Sequence, residues 1–87
     1  MNEALKNMIT TMFSKKEIGG KHTPEERLIN SKTKLLQKKE YREFEREYKE
    51  LINAQIILRM QKRTGKGSDG HINLNPRKLR EMHEMIR

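Results

Sequence analysis

The sequence predicts an all-α fold: a long antiparallel helical hairpin over residues 23–87, with an additional N-terminal helical segment in residues 1–22. Three observations carry this expectation. Tyr41, Phe44, Tyr48, Leu51, Gln55 and Leu58 recur at spacings of 3, 4, 3, 4 and 3, the a and d seam of a long helix lying against a neighbour. Leu79, Met82 and Ile86 resume such a seam after Asn75-Pro76. Between the two, Gly65, Gly67 and Gly70 supply a break in a basic stretch.

Taken in order, residues 2–13 form a short helix with Leu5, Met8, Ile9, Met12 and Phe13 on one face. Residues 14–22 read as a linker because of the pair Gly19-Gly20. Thr23-Pro24-Glu25-Glu26 is a helix start: a cap, a proline suited to the first position, and two carboxylates at the positive end of the dipole. That helix is expected to run to about Leu36 or Lys38. The next, Lys39 to Thr64, is a rod of about 39 Å at 1.5 Å per residue. Its outer faces alternate acid and base from Glu40 to Glu50, with pairs such as Glu45–Lys49, and read as a solvated surface. Ile72-Asn73-Leu74 is briefly extended, and Asn75 then caps a return helix with Pro76 in its first turn.

The 87 residues fit one small domain with a thin core, since only 32% are hydrophobic and 37% are charged. Twenty Lys+Arg against 12 Asp+Glu give a formal charge of +8. The excess is spread evenly: residues 14–22, 23–38, 39–64 and 65–87 each carry +2. This describes a body that lies along a polyanion, not one tethered by a basic tail. No cysteine is present, which excludes a disulfide framework and a thiolate metal site. No stretch approaches the roughly 18 apolar residues that membrane insertion requires. Met1–Phe13 is mildly amphipathic, but Glu3 and the absence of arginine argue against a transit peptide.

Catalytic chemistry finds no foothold. Thr64-Gly65-Lys66-Gly67-Ser68 resembles a fragment of a phosphate loop but lacks the spacing and the preceding strand; its glycines suit close approach to a phosphate chain. His22, His71 and His83 have no metal-ligand spacing and read as surface or RNA-facing residues. Met82 and Met85 read as fillers of a core seam. No nucleophile–base or paired-carboxylate constellation appears, so neither an enzyme nor a cofactor is expected.

The stretch KTKLLQKKEYREFEREYKELINAQIILRMQ, Lys32 to Gln61, resembles ribosomal protein twenty-nine of the bacterial-type large subunit. The likeness lies in the Lys-x-Lys-x-Leu start, the Glu-rich helix, the motif Leu58-Arg59-Met60-Gln61, the turn Thr64-Gly65, and a restart at Asn75-Pro76 with Leu79-Arg80-Glu81-Met82 and Ile86. It covers residues 32–87 and departs from the family in an enlarged turn, Lys66 to Leu74, and in the added residues 1–31. Those departures point to a mitochondrial ribosome more than to a bacterial one. The resemblance implies a helical hairpin that binds large-subunit ribosomal RNA near the polypeptide exit tunnel, beside large-subunit protein twenty-three, as a structural component and not as a homo-oligomer.

RNA binding would then fall to three groups of cations. Lys32 and Lys34 begin the matching region; Arg59, Lys62, Arg63 and Lys66 lie at the turn; Arg77, Lys78 and Arg80 start the return helix. In a hairpin the last two groups converge at one end. Two other readings compete. One is a non-ribosomal DNA-binding regulator that dimerises through the Tyr41–Leu58 seam, for which no short helix–turn–helix with a recognition helix is discernible. The other is a coiled-coil adaptor or phage-encoded inhibitor whose long helix docks into a partner groove.

Overall fold

The computed structural model describes the chain at residues 1–64 and 67–87, and the side chains at residues 1–61 and 70–87. Helix α1 spans Glu3–Ser14. Asn2 caps it, its side-chain oxygen accepting from the amides of Ala4 at 2.9 Å and Leu5 at 3.2 Å. Its apolar face is the middle of the core: Leu5, Met8, Ile9 and Met12 are fully buried. The helix ends in a Schellman reversal built on Lys16, whose φ is 55°: the Lys16 amide donates to Phe13 O and the Glu17 amide to Met12 O.

The segment that follows is structured. The Leu74 amide donates to Glu17 O at 2.9 Å, and the Gly19 amide donates back to Leu74 O at 3.1 Å. Strand β1, Thr23–Pro24, leads directly into α2, Glu25–Thr33, and after four residues α3 runs from Lys38 to Asn53. Strands β2, Ile57–Thr64, and β3, Gly67–Leu74, form a long antiparallel ribbon, with Ile57 opposite Leu74 and Arg59 opposite Ile72. β1 pairs with the other edge of β3, Thr23 opposite Ile72, so the antiparallel sheet has the order β1-β3-β2. A 3-10 turn, Pro76–Lys78, leads into α4, Leu79–Ile86. The core joins α1 to Phe44, Tyr48 and Leu51 of α3, Ile57, Ile72 and Leu74 of the sheet, and Met82 of α4.

The fold is therefore mixed α and β, and the all-α hairpin is overturned. The Lys39–Thr64 rod stops at Asn53, because Gln55 enters the left-handed region at φ 60°. The Gln55 amide donates to Ile52 O and the Ile56 amide to Leu51 O, a second Schellman reversal, with Ile56 and Leu51 both buried. Beyond it, Ile57 and Leu58 enter an extended strand, where branched residues pack well. The seam expected from Tyr41 to Leu58 survives only as Phe44, Tyr48 and Leu51; Gln55 is exposed and Leu58 lies on β2. Leu58-Arg59-Met60-Gln61 is likewise strand, so the hairpin that the ribosomal resemblance implied is absent.

Smaller corrections have local causes. Thr23 and Pro24 are strand, and α2 starts at Glu25 without a side-chain cap. Ile72-Asn73-Leu74 is extended as expected, at the end of a strand that begins at Gly67. Asn75 does cap, accepting from the Arg77 amide at 3.0 Å.

Candidate nucleic-acid interface

Helices α2 and α3, joined by the four residues Lys34–Gln37, make a two-helix unit whose turn has the length that helix–turn–helix motifs use. Both its ends are fixed to the same strand. β1 clips the start of α2 to one edge of β3, and β2 clips the end of α3 to the other. The Asn75 amide donates to Ile56 O at 3.0 Å and its side chain to Gln55 O at 2.8 Å, closing the sheet against the foot of α3. Sequence periodicity hides this pair, because the seam of α3 runs on into β2 and the helical character of α2 runs on into the turn.

Once α3 ends at Asn53, its charges separate. The helix holds five cations, Lys38, Lys39, Arg42, Arg46 and Lys49, and five glutamates. At 3.6 residues per turn, all five cations fall within an arc of about 100°, centred opposite the buried face of Phe44, Tyr48 and Leu51. All five are exposed, and among the described residues none lies within ion-pair distance of a carboxylate. The glutamates flank the stripe, and two are occupied: the Asn2 amide donates to Glu47 at 2.8 Å and its side-chain nitrogen to Glu43 at 3.3 Å. The outer face is solvent-exposed, as expected, but its charges separate into a basic stripe and an acidic flank that ties α3 to the start of α1.

On the other flank of α3 a small polar cluster holds the unit together. Tyr48 Oη donates to Glu25 Oε2 at 2.5 Å, and Arg59 Nε donates to the same oxygen at 2.8 Å. The Arg59 guanidinium also lies 5.8 Å from the centre of the Tyr48 ring. Burial, and then the Glu25 carboxylate, push the Tyr48 phenol above its ordinary value. The hydrogen bond to Glu25 raises Arg59 in turn. Gly70 makes room for this cluster, since a Cβ there would stand 3.0 Å from Glu25 Oε1. One carboxylate at the start of α2 thus ties together α2, α3 and β2.

Among the described residues, those expected to bind RNA lie on several elements. Lys32 lies in the last turn of α2, and Lys34 begins the interhelical turn, near the start of α3. Arg59 is half-exposed and engaged by Glu25. Lys62 and Arg63 lie on β2 opposite Asp69 and Ser68, with side chains outside the described residues, and Lys66 lies outside them altogether. Arg77 and Lys78 are in the 3-10 turn and Arg80 in α4, next to Leu74 at the foot of the ribbon. Lys62 stands five residues along the ribbon, roughly 17 Å from that foot. Lys62 and Arg63 are therefore set apart along the ribbon from Arg77, Lys78 and Arg80, whereas Arg59, opposite Ile72, stands near that foot. The five α3 cations were missed; a helical projection ended at Asn53 would have found them.

The histidines are engaged within the fold. His22 and His71 meet Nδ1 to Nδ1 at 2.9 Å, and the His83 ring lies 4.7 Å from that of Phe13. Among the described residues no group of three or more His, Asp or Glu is placed to hold a metal ion. No helix among them is long and apolar enough to cross a membrane. No family model matches the chain, and neither a curated protein nor a solved structure was found to be similar to it.

Proposed function

We propose that this chain binds duplex DNA as a winged helix–turn–helix protein, with α3 in the major groove and the β2–β3 ribbon as the wing. The observation that carries this reading is the basic stripe of α3 on the outward face of a helix–turn–helix. The order helix, strand, helix, turn, helix, ribbon, with the first strand paired to the last, is the plan of that class. At 16 residues α3 is about 24 Å long and slim enough for the roughly 12 Å major groove of B-form DNA. Arg59, Lys62 and Arg63 lie on β2. Arg59 has already turned back to the level of Tyr48, so β2 returns along the flank of α3.

The test is binding to a mixed-sequence duplex by fluorescence anisotropy between about 50 and 200 mM salt. The variant R42Q/R46Q/K49Q removes three exposed cations and no core contact. It is expected to bind at least tenfold more weakly, with a log–log salt slope shallower by roughly two to three units, at about 0.9 per phosphate contact. An unchanged slope overturns the assignment of α3. An RNA duplex of the same sequence should bind more weakly, because its deep, narrow major groove does not admit the helix. Preference for the RNA duplex would return the reading to the ribosome.

A further inference from the structure

We propose that Leu35 is a base-reading residue that packs against the 5-methyl group of thymine; this rests on the DNA-binding reading above. Leu35 is 88% exposed, whereas the other exposed large apolar side chains, Met1, Met60 and Tyr41, are 46%, 39% and 37% exposed. Tyr41 stacks on Phe44 with ring centres 6.5 Å apart, and Leu36, which follows Leu35 in the turn, packs against the core. Leu35 does neither.

Its position is fixed. The Leu36 amide donates to Thr33 O at 3.0 Å, and the Tyr41 amide donates to Gln37 O at 2.9 Å, so Leu35 is held between the last turn of α2 and the first turn of α3. Lys34, Lys38 and Lys39 stand around it in sequence, with Glu40 the first carboxylate to follow. A partner for this spot must be anionic overall and apolar at one point. The major groove of B-form DNA meets both demands at thymine, whose methyl is the apolar group that the bases present there. The start of a recognition helix is also the part that meets base edges.

The test compares A·T-rich duplexes made with thymine or with deoxyuridine, which differ only by that methyl. The wild-type chain is expected to bind the thymine duplex about fourfold more tightly for each methyl contacted. In L35A the two affinities should become equal, while the salt slope stays that of the wild type, since no charge has changed. Equal wild-type affinities overturn the inference and leave the DNA-binding reading standing. Persistence of the thymine preference in L35A also overturns it, because the preference then comes from duplex shape. Failure to bind either duplex overturns the DNA-binding reading, and this inference with it.

Discussion

The Tyr48 phenol is nearly buried, and its proton is committed to a carboxylate that also holds Arg59. The folded chain therefore prefers the neutral phenol. Its folded pKa lies above the unfolded value of about 10, so its contribution is complete below that pH and is lost as pH rises through the folded value. Urea unfolding should show stability declining above about pH 10. In Y48F that decline should be shallower, with a loss of about 1–2 kcal/mol at neutral pH from the missing hydrogen bond. A wild-type decline that Y48F leaves unchanged would place its origin elsewhere. Tyr48 was legible as a seam residue, because spacing reports which face is buried. Its bond to Glu25 was not, because the partners lie 23 residues apart and meet only once α2 and α3 have been folded against β3.

The decisive element boundary is the end of α3. A helix stop is usually read from glycine, and here a glutamine takes the left-handed position. The same is true of α1, where Lys16 does so. At Gln55 the buried pair Leu51 and Ile56 holds a conformation that the side chain itself disfavours; at Lys16 the buried partners are Met12 and Glu17. Q55G is expected to relieve that strain and stabilise the fold by about 0.5–1 kcal/mol after the added flexibility of the unfolded chain is counted. The thermal midpoint should then rise by a few degrees. A lowered midpoint would show that the glutamine side chain contributes more than its backbone costs. The strands were illegible for a related reason: Leu58 continues the 3-4 spacing of α3, so helical periodicity runs on past the end of the helix.

At the scale of the whole molecule, α1 is central and not appended. It contacts α2, α3, α4 and β3, and it supplies Leu5, Met8, Ile9 and Met12, four of the nine largest fully buried side chains among the described residues. A chain lacking residues 1–22 is expected to lose cooperative unfolding, since it would expose the apolar faces of three helices and the sheet at once. A sharp urea transition in the truncated chain would show residues 23–87 to be self-sufficient. The buried face of α1 is legible in its spacing, but its central place is not, because nothing local says what a helix face meets.

Composition and local chemistry by themselves determined the basic character of the chain, the buried faces of α1 and α3, the cap at Asn75 and the extension at Ile72–Leu74. Each depends on neighbours a few residues away, or on summed charge, and needs no knowledge of the fold. The tertiary structure alone decided where α3 ends, and so which charges share its exposed face, and that β3 is the strand to which both ends of the α2–α3 pair are fixed. Those outcomes depend on contacts distant in sequence. A reversal without glycine is stabilised by burial, a strand by its partner, and the sign of an exposed face by which side of the helix the core has claimed.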